Sequence, residues 1–458
     1  MAGFLANLLQ SLQRHRTDMP FLCRRLLSER GEASQTTIAQ QIIDAYDHMR
    51  PEDRLQFFEL LSREFSPDPS GVRRAAEQYE RSPTPATLAA LSLAAEPPRQ
   101  ELFRRINTAP GGTKTLVGLR ADLLAARSPS DGTRFADLDA DLRHLFRSWF
   151  NRGFLRLQRI SLQTSAVILE KLIRYESVHE INGWPDLLRR IQADRRCFAF
   201  FHPALDDEPI IFVEVALLKG LTGDLEPLLD VNATVLRPER ADTAIFYSIN
   251  NCLNGLRNVP FGNFLIKQVV TELESEFPNI RTYATLSPLP HFSRALGDHK
   301  NENGFTRDRL SRLLVEYSGD LTAAARQRDP VEALFALLEH PLAHRHVLSE
   351  PLRRLAFAYL TRAHRDGKLY DPVATFHLAN GARLERINVF GNLRPYGLQA
   401  SFGVTVNYRY LPDEVEENHE QFVRIGKIRI PGSLYDEHKA VAAAWDPAPP
   451  KPERDKPR

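Results

Sequence analysis

Residues 243–267, TAIFYSINNCLNGLRNVPFGNFLIK, decide the fold prediction. The first seven are mostly β-branched or aromatic and predict a strand. A loop rich in asparagine and glycine follows, and an apolar helix begins near Gly262 and Asn263. Free N–H groups at a helix start bind phosphate oxygens, and glycine lets a ligand approach the backbone closely. The loop has neither the Walker nor the G-x-G-x-x-G spacing, so a phosphate site and a plain connector both remain open.

Further strand candidates lie on both sides of this unit. They are residues 197–202, 210–217, 281–286, 383–390 and 401–411. Helical runs alternate with them, including residues 264–277, and this alternation predicts a mixed sheet covered by helices. The longest apolar run, residues 210–218, is interrupted by Glu214 and is too short to cross a bilayer, so it predicts a buried strand.

Residues 1–148 show a different pattern. Capping residues or prolines precede apolar periodic runs at Ser34, Pro51 and Thr84, and strand-like alternation is absent, so the segment predicts a helical bundle. We interpret the amphipathic first sixteen residues as an integral helix rather than a transit peptide. The predicted division is a helical, oligomerising domain at 1–148, a catalytic domain at 149–445 and a disordered Pro-rich tail at 446–458.

The composition excludes several classes of protein. The chain has 458 residues, of which 43% are hydrophobic and 26% charged, which is typical of a globular protein. Its 60 basic and 58 acidic residues give a net charge of +2, which argues against nucleic acid or an anionic membrane as the main partner. Cys23, Cys197 and Cys252 form no C-x-x-C pair, so we expect buried, reduced thiols. We find no spacing typical of metal ligands and predict no metal site.

Two other segments supply candidate catalytic side chains. Prolines in TLSPLPHF, residues 285–292, stiffen a strand exit and hold Ser287 in an extended backbone. Asp371 and Pro372 predict a short helix with His377 in its last turn, where the helix end favours the imidazolium and raises its pKa towards neutrality. Taken alone, these residues are more often a plain Ser-Pro turn and a hydrogen-bonded core histidine than a catalytic pair.

Several long blocks resemble malonyl-CoA decarboxylases in order and spacing. They are residues 150–166, 169–190, 195–217, 244–280, 285–292, 376–390 and 406–411. The resemblance implies an α+β architecture, in which a helical bundle precedes the fold of the GCN5-related N-acetyltransferases, a mixed sheet flanked by helices. The helical segment matches the family's N-terminal domain only in length and composition.

The resemblance also implies a site. In that fold the pyrophosphate of coenzyme A lies on the loop and helix start after a central strand, and Ser287 and His377 match the family's catalytic serine and histidine. Vertebrate members carry an acidic residue at the position of Pro260, so the role of that acid is not transferred. The implied substrate-binding residues are Ser287 and His377 together with Arg257, Asn258, Val259, Pro260, Phe261, Gly262 and Asn263.

The implied reaction converts malonyl-CoA to acetyl-CoA and CO₂. Loss of CO₂ leaves an enolate that His377 protonates, while Ser287 orients the substrate and pairs with the histidine. The thioester is its own electron sink, so we expect no cofactor.

Three other functions remain open: an acyltransferase of the same fold, a non-catalytic acyl-CoA-binding regulator, and a Ser-His thioesterase, although the G-x-S-x-G elbow of the last is missing. We further expect a cytoplasmic homo-oligomer, a dimer or a tetramer, without nucleic-acid or membrane partners.

Overall fold

The structure is a computed structural model and describes residues 18–126, 134–151, 153–259, 264–297, 304–365 and 367–446. The amphipathic helix expected in the first sixteen residues lies outside these ranges, as does the tail from residue 447 onward. Within the described ranges, no helix is both long enough and apolar enough to cross a membrane.

Eight helices make up most of the described residues from 18 to 149. They are α1 (Met19–Ser28), α2 (Glu32–Asp47), α3 (Pro51–Glu64), α4 (Pro69–Arg81), α5 (Pro85–Ala95), α6 (Pro98–Asn107), α7 (Gly112–Ala125) and α8 (Ala136–Trp149). The predicted starts at Pro51 and Thr84 are confirmed, and Thr84 forms a capping box with Thr87. The predicted start at Ser34 is wrong, because α2 already begins at Glu32, whose carboxylate favours the first turn.

Ten strands follow in the described residues after 153. They are β1 (Arg156–Ile160), β2 (Arg195–Phe201), β3 (Pro209–Leu218), β4 (Thr243–Asn251), β5 (Thr282–Thr285), β6 (Ser287–Pro288), β7 (His364–Arg365), β8 (Lys368–Leu369), β9 (Arg383–Asn388) and β10 (Thr405–Tyr410). β7 and β8 pair with each other. The others form one sheet in the order β1-β2-β3-β4-β5-β10-β6, with β9 also on β10. Sequence analysis missed β1, an edge strand whose residues RLQRI lack apolar alternation.

Helices flank this sheet on both faces, which confirms the predicted α+β architecture. They are α9 (Ala166–Tyr175), α10 (Trp184–Arg190), α11 (Glu226–Leu229), α12 (Phe264–Glu276), α13 (Phe292–Gly297), α14 (Arg307–Leu313), α15 (Ser318–Ala325), α16 (Pro330–Leu338), α17 (Arg345–Arg362), α18 (Pro372–Ala379), α19 (Pro395–Ser401), α20 (Val415–Ile425) and α21 (Tyr435–Trp445). The strand expected from residue 401 starts only at Thr405. Ser401 ends α19, and Phe402 and Gly403 follow with φ of 54° and 82°, which stops the helix.

The parallel pair β4–β5 positions the site. The other strand pairs of the sheet are antiparallel, whereas β4 and β5 run in the same direction from Thr243 beside Thr282 to Phe246 beside Thr285. Beyond Phe246, β4 continues to Asn251. The segment that follows β5 instead turns towards β10, where Ser287 lies opposite Val406. β4 and this segment therefore separate after Phe246.

One apolar core joins the helical region to the sheet. It extends from Met19 in α1 through one sheet face to Trp445 in α21. Two smaller cores cover the other face, because successive side chains of a strand point to opposite sides. The three cysteines are buried and free, as expected. The division of the chain at residues 148 and 445 stays a prediction.

Candidate active site

Ser287 and His377 meet in the structure, although 90 residues separate them in the chain. Ser287 Oγ lies 3.1 Å from His377 Nε2. Both residues are buried, with exposed fractions of 4% and 3%. Pairing with β10 holds the serine, and the last turn of α18 holds the histidine, as its sequence predicted.

A threonine fixes the direction of the serine hydroxyl. Ser287 Oγ–H donates to Thr285 Oγ1 at 2.8 Å. Thr285 is fully buried, and its hydroxyl oxygen also accepts the backbone N–H of Tyr408 at 3.1 Å. Because the serine proton is directed at Thr285, the serine oxygen accepts from His377. The neutral imidazole therefore carries its proton on Nε2.

Two tyrosines of β10 fix the imidazole. The Tyr410 hydroxyl lies 2.8 Å from His377 Nδ1 and donates to it, since Nε2 already carries the ring proton. The Tyr408 ring stacks on the imidazole at a centroid distance of 4.8 Å and an interplanar angle of 24°. Residues two apart on a strand share a face, so one strand supplies both contacts.

The site consists of neutral groups. Burial lowers the pKa of His377 to about 3 and raises the pKa values of Tyr408 and Tyr410 well above their ordinary values. The raised histidine pKa expected from the helix end is therefore wrong, because the cost of desolvating the imidazolium outweighs the attraction of the helix dipole. Tyr410, His377, Ser287 and Thr285 form an uncharged chain of hydrogen bonds through which a proton can pass.

The cap predicted for the histidine helix is confirmed. Asp371 accepts the N–H of Ala374 at 2.7 Å and the hydroxyl of Tyr359 at 2.8 Å. Burial raises the pKa of this carboxyl group, although both donors oppose the shift. Pro372 occupies the first helical position. These contacts anchor the start of α18 and thereby set where His377 lies.

The proposed phosphate loop lies at the same sheet edge as Ser287, because it follows β4 as Ser287 follows the parallel β5. Arg257 and Asn258 are exposed, Val259 is buried, and Asn258 has a left-handed φ of 61°. Pro260, Phe261, Gly262 and Asn263 lie outside the described residues. The binding roles assigned to this loop stay predictions.

Sequence analysis assigned no role to Thr285, Tyr408 or Tyr410. Spacing along β10 could have placed the two tyrosines on one face, but nothing in the sequence pairs that face with α18. Among the described residues, no group of three or more His, Cys, Asp or Glu side chains could hold a metal ion.

Two family models match most of the chain. The malonyl-CoA decarboxylase N-terminal domain matches residues 65–150, and the C-terminal domain of the same family matches residues 153–446. The curated mitochondrial malonyl-CoA decarboxylase of Anser anser anser is 35% identical over 341 residues, 71% of this chain and 66% of that protein. The rat counterpart is 32% identical, over 72% of this chain and 68% of its own length. The chain thus spans about two thirds of these relatives.

Bacterial crystal structures match over almost the whole chain. Malonyl-CoA decarboxylase from Rhodopseudomonas palustris is 41% identical, with a TM-score of 0.81, over 92% of this chain and 99% of that one. The Agrobacterium vitis enzyme is 40% identical, with a TM-score of 0.80, over 94% of this chain and 100% of that one. The chain described here belongs to the malonyl-CoA decarboxylase family.

Proposed function

We propose that this chain decarboxylates malonyl-CoA to acetyl-CoA, with Ser287 and His377 as its catalytic residues. The observation that carries the proposal is the buried contact of 3.1 Å between Ser287 Oγ and His377 Nε2. Family membership supports the substrate, and the hydrogen-bonded chain from Tyr410 to Ser287 supports the roles of the two residues.

The reaction breaks the bond between C2 and the carboxylate of the malonyl group. Its electron pair passes to C2 and the thioester oxygen, which forms an enolate and releases CO₂. His377 Nε2–H then protonates C2 while Tyr410 O–H gives its proton to Nδ1. The imidazole stays neutral, and the negative charge rests on the Tyr410 oxygen until that oxygen takes a proton from solvent. Ser287 holds the substrate beside the histidine.

We infer that Tyr410 recovers its proton from solvent through a neighbouring cavity. It lines a cavity of about 90 Å³ between α12 and α20, together with Ile266, Val270 and Val415. Lys267 and Glu274 also line this cavity. One proton is consumed for each CO₂ released, and we infer that it reaches the tyrosine by way of this cavity.

The buried, uncharged surroundings favour loss of CO₂. A substrate carboxylate that enters the site loses its hydration, and none of Tyr410, His377, Ser287 and Thr285 offers it a positive charge. The enolate that forms is less affected, because its charge is spread over the thioester. Since the thioester takes the electron pair, we propose that neither a metal nor an organic cofactor takes part.

The products test this function. Purified protein dialysed against a chelator should convert malonyl-CoA to equal amounts of CO₂ and acetyl-CoA without any additive. Release of free CoA would instead indicate a thioesterase, or, if it requires an amine acceptor, an acyltransferase. Tight binding of CoA without turnover would indicate a regulator. Each of these results contradicts the proposal.

We also infer that the chain self-associates through α4 and α5. These two helices pack chiefly against each other and bury none of their residues. Leu88 and Leu93 of α5 are 48% and 75% exposed, on a helix made almost entirely of alanine, leucine and other small residues. A second copy would remove this apolar surface from water.

Light scattering after gel filtration tests the self-association. Leu93→Glu should lower the molar mass by at least one oligomeric step. Val315→Glu is a matched control, because Val315 is 64% exposed but lies outside this pair of helices. An unchanged mass for Leu93→Glu would refute this interface.

A further inference from the structure

Arg120 of α7 reaches from the helical region to the phosphate loop. Its Nη1 donates to the carbonyl oxygens of Gly255 and Arg257 at 2.6 and 2.8 Å. Its Nε donates to Asp139 Oδ1 of α8 at 2.8 Å. Only 1% of the residue is exposed. A buried, charge-paired guanidinium therefore holds two carbonyl groups of the loop.

The loop also packs directly on the backbone of α7. A Cβ atom on Gly255 would lie 1.9 Å from the carbonyl oxygen of Val117 and 2.8 Å from its carbonyl carbon. No real side chain tolerates such a contact, so this position needs glycine for close approach. The loop and α7 are thus joined both by packing and by the arginine.

The arginine sets the direction of an amide in the loop. In a planar trans peptide, the carbonyl oxygen and the following N–H point to opposite sides. Since Arg120 holds the Arg257 carbonyl, the N–H of Asn258 points away from the helical region. Within the described residues this N–H has no acceptor. It is therefore available to an anion.

The backbone at Asn258 departs from the usual conformation. Its φ of 61° lies in the left-handed region, which residues with side chains rarely adopt. Such a conformation persists where the surrounding contacts impose it. The hydrogen bond from Arg120 to the Arg257 carbonyl lies directly before Asn258 and is a contact of this kind.

Arg257 supplies a positive charge beside this amide. Its side chain is exposed and has no ion pair with the described residues. The amide of Asn258 and the guanidinium of Arg257 belong to successive residues and are donors of the kind that bind phosphate oxygens.

We propose that Arg120 is a positioning residue for the pyrophosphate of coenzyme A. It holds the loop so that the N–H of Asn258 and the side chain of Arg257 face the ligand. This inference rests on the proposed function, because it requires that the loop bind coenzyme A. It makes the helical region a part of the substrate site.

Arg99 provides a matched control. It is also a buried arginine of the helical region, with Nε 2.5 Å from Asp141 Oδ2 and Nη2 3.1 Å from Asp137 Oδ2. Within the described residues, its other side-chain hydrogen bonds go to Ser66 and Leu61, and none goes to the loop. Arg99→Lys and Arg120→Lys each replace a forked guanidinium by a single ammonium group.

The test compares KM values for two substrates. Arg120→Lys should raise the KM of malonyl-CoA about tenfold, the cost of about one hydrogen bond to a charged group, and change kcat less than about twofold. Malonyl-pantetheine lacks the phosphates, so its KM should stay unchanged. Arg99→Lys should alter neither KM, even if it lowers the melting temperature as much. Equal KM values of the two variants for malonyl-CoA would overturn the proposal, and so would an equal rise for malonyl-pantetheine.

A second variant and a binding measurement complete the test. Gly255→Ala displaces the loop without changing Arg120. It should also raise the KM for malonyl-CoA and leave the KM for malonyl-pantetheine unchanged. This variant keeps the proposal testable if Arg120→Lys does not fold. If the wild-type protein lacks decarboxylase activity, the proposed function fails. Calorimetry with coenzyme A can then still test the role of Arg120. Arg120→Lys should bind coenzyme A about tenfold more weakly than Arg99→Lys. Equal affinities would overturn it.

Discussion

Two buried polar clusters of the sheet region differ in their use of charge. The first, which we call the Asp194 cluster, consists of Asp194, Arg189 and Arg195. Arg189 Nη1 lies 2.7 Å from Asp194 Oδ1, and Arg195 Nη1 lies 3.0 Å from Asp194 Oδ2. The second cluster, around Ser287 and His377, contains only neutral groups.

The difference shows how burial can serve either stability or chemistry. Burial raises the pKa of Asp194, but the hydrogen bonds from Arg189 and the charge of Arg195 outweigh it and hold that pKa below its usual value. The two arginines thereby keep the buried Asp194 carboxylate ionised. At His377, burial acts without a compensating ion and leaves a neutral ring whose proton can move. We therefore expect substitutions in the first cluster to affect stability and those in the second to affect turnover.

The largest expected effect is on stability. Asp194→Asn leaves two buried arginines without their carboxylate and should lower the free energy of unfolding by about 3–5 kcal/mol, as for other broken buried pairs. The kcat of the folded fraction should stay within about twofold of the wild type. Urea unfolding measures the first quantity, and steady-state kinetics measures the second.

Glu64→Gln is the control for Asp194→Asn. Glu64 pairs with Arg24 at 2.8 Å on the surface, where solvent screens the charges, so its loss should leave the free energy of unfolding close to the wild-type value. If Asp194→Asn were no more harmful than this control, the contrast between the two clusters would not hold.

The next effect concerns the hydrogen bond from Tyr410 to His377 Nδ1. Tyr410→Phe removes the donor to Nδ1 and should lower kcat about tenfold or more, with little change in KM. Tyr283→Phe is a suitable control, because the buried hydroxyl of Tyr283 has no hydrogen-bond partner in the part of the chain that the structure describes. Equal kcat values for the two variants would remove Tyr410 from the mechanism.

The smallest effect is a shift in titration. In the free protein His377 should stay neutral down to about pH 5, since its pKa lies near 3. NMR of labelled histidine follows the ring, and His377→Asn assigns its signal. A ring that titrates near pH 6.5, the ordinary histidine pKa, would show that the site is not desolvated.

The same shift fixes the sign of a pH effect on stability. The folded pKa of His377 lies below its unfolded value of about 6.5, so the unfolded chain binds the proton more readily. The stability associated with this group is present above about pH 6.5 and is lost as the pH falls towards 3. His377→Asn should lack this component of the acid sensitivity.

Local signals in the sequence predicted a large part of the fold and of the site. Nearby residues determine four features that the structure confirms: the Asp371 cap, Pro372 at the helix start, the helix that ends near His377, and the strand before the loop. The lowered pKa of His377 depends on groups packed around it from distant parts of the chain. The contacts of Tyr410 and Arg120 likewise join residues far apart in sequence. No local pattern encodes such contacts.

Some expectations remain untested. A cytoplasmic location is still a prediction, and the rat and goose relatives are named as mitochondrial proteins. It is also a prediction that the protein forms a dimer or a tetramer, that it has no nucleic-acid or membrane partner, and that it uses no cofactor.

The rate of CO₂ release at saturating malonyl-CoA tests the central claim most directly. His377→Ala should lower it at least about hundredfold, the usual contribution of a positioned acid–base group. Ser287→Ala removes the hydroxyl that holds the substrate beside the histidine and should also lower it about hundredfold. Both variants should keep the affinity for coenzyme A, because they leave the phosphate loop intact. A rate within about twofold of the wild type for either variant would contradict the assignment of the catalytic pair.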